Sequence, residues 1–252
     1  MPLHSIVYTS GRSARQQSLV TIRTGRNSMD DYRGFPQETT DFLGGLARNN
    51  RKEWFEKHRS EYVAFYLESG KAFVEAMGER LQKIAPVVAD PRVNGSIFRI
   101  NRDIRFSEDK TPYKTHLSIV FWAGPSKKEM RSCFYFRLYS DEILLGCGNH
   151  RFDNPTLAAF RKAVADPIAG AALERAVSRI EDADLTVDGV GYKRVPRGFD
   201  ADHPRARFLK HNGLMTGLTL PISEEIHSGE LVELLARHWE RAAPIHHWLV
   251  GI

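Results

Sequence analysis

Within residues 99–116 (RINRDIRFSEDKTPYKTH) the chain gathers the side chains best suited to handling an anion. Arg99, Arg105 and Lys114 are of the types that grip phosphate or carboxylate oxygens, the guanidinium because its planar fork matches paired oxygens and stabilises developing charge. Asn101 adds a neutral donor and acceptor, and Lys110 a further cation at the rim. His116 is the natural proton carrier, since an unperturbed imidazole titrates near neutrality. Asp103 could orient His116 or bind a divalent cation. His116 and Asp103 are therefore the candidate catalytic pair, and Arg99, Asn101, Arg105, Lys110 and Lys114 the candidate ligand-binding groups.

Strands are what would position them. At a period of two, Phe98, Ile100, Ile104 and Phe106 form an apolar face, and Arg99, Asn101, Asp103 and Arg105 a polar one. Arg102 falls on the apolar side, where its guanidinium needs a carboxylate, and Asp109 or Glu108 is the nearest. Arg102 and Asp109 are read as a structural ion pair. After turn signals at 107–112 the alternation resumes, with Tyr113, Leu117, Ile119 and Phe121 on one side and Lys114, His116 and Ser118 on the other. The segment thus reads as a hairpin whose polar faces converge, with Phe106 pointing to the core. The alternative is an ion-pair network that only fixes the sheet.

These residues also carry a family likeness. The run from Arg99 to His116 resembles the signature of the bacterial and fungal family called domain of unknown function 2461. The likeness extends to Asn49, Asn50, Arg51, Lys52, Glu53, Trp54 and Phe55 and to Lys193, Arg194, Val195, Pro196, Arg197, Gly198 and Phe199, so it spans about residues 35–211. It implies no particular reaction.

The rest of the chain reads as support. Residues 1–33 lack a sustained period and read as a disordered or mis-started tail with Met29 as the working initiator, although an acid-poor, Arg- and Ser-rich stretch also resembles a transit peptide. Residues 34–252 read as one domain. Helical periods surround Phe42, Leu43 and Leu46 and recur from Tyr62 to Ile84; Trp54, between them, is assigned to the core instead of to ligand stacking. Phe134 to Tyr139 and Ile143 to Cys147 read as a second hairpin. Asp153 or Asn154 begins a helix through Val164, and another runs to about Ile180. Asp188-Gly189 is a strong turn signal for a further hairpin, and Asp202 could cap a helix carrying Arg205, Lys210 and His211 that Gly213 would end. Leu214 to Leu220 reads as the last strand and Ser228 as the cap of a final amphipathic helix. The fold class expected is α+β, a single domain with a mainly antiparallel sheet of about five to seven strands covered by N- and C-terminal helices.

Composition narrows the function classes. The hydrophobic fraction of 42% and charged fraction of 27% are those of an ordinary core-forming chain, and no apolar run approaches a membrane span. A cytoplasmic protein with no membrane partner is expected. Of the net charge of +5, Arg12, Arg15, Arg23 and Arg26 supply four before the first acid at Asp30, which leaves +1 for the remainder. That local basicity argues against generic DNA binding. Cys133 and Cys147 read as reduced thiols on neighbouring strands. Cys147 and His150 have a metal-like spacing but no partnering Cys-x-x-Cys or His pair at a defined distance, and His246 and His247, adjacent on a helix, point in different directions, so no metal is assigned and the cofactor is left unknown. No nucleophile elbow, phosphate-binding glycine loop or dinucleotide fingerprint occurs. Two function classes stay open: an enzyme acting on a phosphorylated or other anionic small molecule, and a non-catalytic module binding nucleotide, nucleic acid or an acidic partner.

Overall fold

The computed structural model describes residues 31–124 and 132–252, so the reading of residues 1–33 falls almost wholly outside it. The described residues form a single α+β domain built on a five-stranded, wholly antiparallel sheet in the order β1-β2-β3-β5-β4. The strands are β1 (Leu117–Trp122), β2 (Cys133–Leu138), β3 (Glu142–Asn149), β4 (Thr186–Val190) and β5 (His211–Pro221). Helices α1 (Gln37–Arg48), α2 (Lys52–Lys57) and α3 (Ser69–Leu81) precede the sheet, α3 being entered through a helical turn and a π-helical stretch, Tyr62–Glu68. Helices α4 (Asn154–Ala165), α5 (Pro167–Glu181) and α6 (Ala206–Leu209) lie between β3 and β5, and α7 (Glu230–Val250) closes the chain.

The two ends of the chain meet over one face of the sheet. Phe73 of α3 packs against Phe121 and Phe136, and Trp239 of α7 against Phe121 and Phe134. The indole N–H of Trp239 donates to the Gly146 carbonyl at 2.9 Å, so the largest core side chain leaves no orphaned donor. Burying these rings, all fully enclosed, supplies the main drive for folding. Asp153 and Asp166 cap α4 and α5 by accepting backbone N–H groups at 2.8–2.9 Å, each followed within two residues by proline, as the local sequence predicts.

Several local expectations are corrected. Residues 97–106 do not form a strand. They follow β1 and the segment leading into it through isolated bridges, Ile97 to Ile119 and Asn101 to Tyr113, and through hydrogen bonds such as Phe98 N–H to Ser118 O at 3.0 Å. Asp103 and Asp109 each accept the N–H of the residue two positions on, which bends the backbone into turns that compete with a ladder. Ile97 and Ile100 enter the core, Phe98 points to the opposite side of the sheet, and Phe106, expected inside, is 94% exposed. Asp188-Gly189 is not a turn: it is a bulge within β4, where Gly189 has φ +127°. The helix expected to end at Gly213 stops at Leu209 with Arg205 as its cap, and His211 is buried at the start of β5.

Candidate functional site

The other face of the sheet holds a cavity of about 870 Å³. Alternation fixes its floor. Because Phe134, Phe136, Leu145 and Cys147 point into the core, Cys133, Tyr135, Arg137 and Leu144 point away from it and line the cavity. From β1 and the segment leading into it come Lys114, His116, Ser118 and Val120. Beyond β3 the wall is completed by His150, Arg151, Asp188, Asn212 and Met215. Among the described residues the lining holds three cations, Lys114, Arg137 and Arg151, and one carboxylate, Asp188. Arg137 and Arg151 form no ion pair among the described residues.

His116 is held by its surroundings. The Tyr66 hydroxyl donates to its carbonyl at 3.3 Å, and its ring packs against Tyr139 with centroids 4.7 Å apart. Burial, reinforced by the neighbouring charges of Arg137 and Lys114, pushes its pKa from 6.5 down to about 4. The imidazole is therefore neutral at pH 7, a hydrogen-bonding group and proton acceptor. Lys114 donates to the Arg99 carbonyl at 2.7 Å while its ammonium lies over the Phe98 ring.

A second feature of the floor is Tyr135. It stands opposite Gly146, which in turn stands opposite Gly217. A Cβ placed on either glycine would come within 2.3 Å of the Tyr135 hydroxyl oxygen. Only the missing side chains let the phenol lie down across β3 and reach β5, where its hydroxyl approaches the Thr216 carbonyl at 3.4 Å. Burial pushes this phenol up to about 12, so it stays neutral.

Of the residues singled out by sequence, Lys114 and His116 line the cavity and the others do not. Arg105 forms a two-pronged pair with Asp103, at 2.9 and 2.7 Å, on an exposed loop, and that contact holds the Asp103 carboxyl down at about 2. Asp103 is thus engaged away from His116. Arg102 reaches the Asp109 carboxylate, the Thr111 hydroxyl and the Thr111 carbonyl. Asp109 is held low first by the Thr111 N–H and hydroxyl and then by Arg102. Lys110 donates to the Ile104 carbonyl at 3.0 Å, and Arg99 and Asn101 lie exposed beside the loop. Cys133 and Cys147 are free thiols, and since Cys133 stands opposite Gly148 and Cys147 opposite Phe134 they project to opposite faces. Burial pushes the Cys133 thiol up to about 12, which makes it a poor nucleophile.

The residues missed by sequence were Tyr135, Arg137, Arg151, Asp188 and Asn212. For Tyr135 and Arg137 the signal was present in the alternation of β2, which sets both against Phe134 and Phe136. Asp188 and Asn212 depend on β4 pairing with β5, which local pattern does not encode.

Two separated stretches of the chain converge below this site. The Asn50 amide donates to the Tyr113 carbonyl at 2.8 Å and accepts the Tyr113 N–H at 3.0 Å, while Phe55 stacks on the Tyr113 ring at 4.2 Å. Asn50 and Phe55 therefore set the backbone from which Lys114 and His116 project. Residues 38–248 match the family described as conserved hypothetical protein (DUF2461), which covers the sheet, its helices and this contact. The chain belongs to that family. No curated protein matches it. Among the described residues no helix is long and apolar enough to cross a membrane.

Proposed function

We propose that the open-face cavity binds a small anionic ligand carrying a phosphate or carboxylate group. The observation that carries this reading is the pair of guanidinium groups on the cavity wall, Arg137 and Arg151, which form no ion pair among the described residues. A structural network would spend its guanidinium groups on neighbouring carboxylates, as Arg102 and Arg105 do in the adjacent loop. Apolar walls with a few convergent polar groups suit a small molecule better than a nucleic-acid backbone, which needs an extended basic track. Under this reading Arg137 and Lys114 take the anion's oxygens and the neutral imidazole of His116 accepts or shares a proton beside them.

A second reading is an enzyme acting on a phosphorylated substrate, with His116 as the base. Its support is the neutral imidazole that shares the cavity with Arg137 and Lys114, where a bound anion offsets the charges that help to depress its pKa and makes proton uptake easier. Thermal unfolding with inorganic phosphate separates the outcomes. Binding to the folded state raises the melting temperature, and salt weakens the effect. An unchanged melting temperature at millimolar phosphate contradicts the anion reading. A variant, His116→Gln, that keeps the phosphate-induced rise but loses turnover of a phosphate ester favours the enzyme, whereas absence of any turnover in the parent protein leaves the binding module.

A further inference from the structure

The anion site explains Lys114, Arg137 and Arg151 but not Tyr135. A tyrosine in an interior strand of an open face would ordinarily stand up from the sheet, as side chains on strands do. Here it lies down, because Gly146 and Gly217 clear a two-strand-wide bed for it. The bed leaves no room for substitution. A Cβ at Gly146 would also meet the Thr216 carbonyl at 2.2 Å, and one at Gly217 the Leu145 carbonyl at 2.9 Å. With one side of the phenol resting on glycine backbone, its outer side forms part of the cavity floor. Arg137 lies two residues further along the same strand and face, and Phe98 and Lys114 stand at the β1 side. An aromatic surface and a cationic rim thus share one cavity, their strand positions Tyr135 and Arg137 about 7 Å apart along the backbone.

We propose that the ligand of this cavity is a planar aromatic or heteroaromatic molecule bearing an anionic group, with its ring stacked on Tyr135 and its phosphate or carboxylate held by Arg137 and Lys114. The inference rests on the anion reading above and adds the other half of the ligand. A flat π-surface takes a flat ring in offset stacking and gains more from it than from a puckered ring of equal size. The cavity volume of about 870 Å³ lies within the range of sites that enclose such molecules. Glycine rescue alone would also place an aromatic over Gly146 and Gly217. That purely structural role predicts no preference between flat and puckered ligands.

The test is direct titration of the full chain with phenyl phosphate, cyclohexyl phosphate and inorganic phosphate. The two esters share charge and approximate size and differ in planarity. Phenyl phosphate is expected to bind about tenfold more tightly than cyclohexyl phosphate, a difference within what one aromatic contact supplies. Tyr135→Phe, which gives up only the long contact to the Thr216 carbonyl, should keep that ratio, and Tyr135→Leu should bring it close to one. Arg137→Ala should weaken both esters alike. Equal affinity of the parent protein for the two esters, or a preference that survives in Tyr135→Leu, overturns the stacking proposal while phosphate binding keeps the anion reading in place. Failure of all three compounds to bind overturns both. Should Tyr135→Leu not fold, the ratio in the parent and in Tyr135→Phe still decides.

Discussion

The loop at 101–112 and the open face of the sheet each carry three cations, yet they use that charge in opposite ways. In the loop, Arg102 is committed to Asp109 and Thr111, Arg105 to Asp103, and Lys110 to the Ile104 carbonyl. These contacts span two to nine residues and shape the loop itself. On the sheet, Arg137 and Arg151 come from different parts of the chain, face a common cavity, and form no ion pair among the described residues. Charge density along a sequence therefore does not locate a ligand site. What distinguishes the two regions is whether the guanidinium groups are paired with carboxylates.

The comparison can be broken at several points. The largest effect is expected on the sheet, from Gly146→Ala. Its new methyl meets the Thr216 carbonyl and the Tyr135 phenol, and the overpacking should cost about 3 kcal/mol in a denaturant melt. Recovery of parental stability would show that Tyr135 does not lie across the glycines. Next comes Arg102→Ala, which removes donors to Thr111 and Asp109 from a half-buried guanidinium. A loss of about 1–2 kcal/mol is expected, with little rescue by Arg102→Lys because an ammonium cannot reproduce the forked contact. A neutral Arg102→Ala would mean that the loop does not depend on this network.

A smaller effect concerns pH. The fold lowers the His116 pKa from 6.5 to about 4, so the unfolded chain binds more protons between those values. The stability tied to the neutral ring is complete above about pH 6.5 and is lost as pH falls toward about 4. His246, likewise pushed down to about 4 by burial, acts over the same window, so the two must be separated by following each imidazole in an NMR titration. Arg137→Ala should raise the His116 midpoint, since Arg137 is one of the charges that depress it, while Arg105→Ala should leave it in place. A shift with Arg105→Ala instead would place the loop, not the sheet, against His116. The smallest effect is on folding by Arg105→Ala or Asp103→Asn, whose exposed pair should leave the melting temperature unchanged.

How much was legible follows from how far each signal reaches. The helices around Phe42 and Val164, the β2–β3 hairpin and the inward set Tyr113, Leu117, Ile119 and Phe121 depend on local period alone, and the structure has them where that period puts them. Phe106 and the bulge at Gly189 were misread because turns made by Asp103 and Asp109, and the pairing of β4 with β5, outweigh alternation. Two of the seven candidate site residues, Lys114 and His116, reach the cavity because they fall in step with Ser118 and Val120, the cavity-facing residues of β1 that follow them. The other five lie further from the strand, where turns break the two-residue period and it no longer says where a side chain points.

The central claim is that the anion site belongs to the open face and not to the loop. Calorimetric titration of inorganic phosphate into the parent protein, Arg137→Ala and Arg105→Ala tests it most directly. The account predicts that Arg137→Ala weakens binding by about tenfold or more, the worth of one charge-assisted contact, while Arg105→Ala binds as the parent does. Loss of binding in Arg105→Ala with Arg137→Ala unaffected would contradict it.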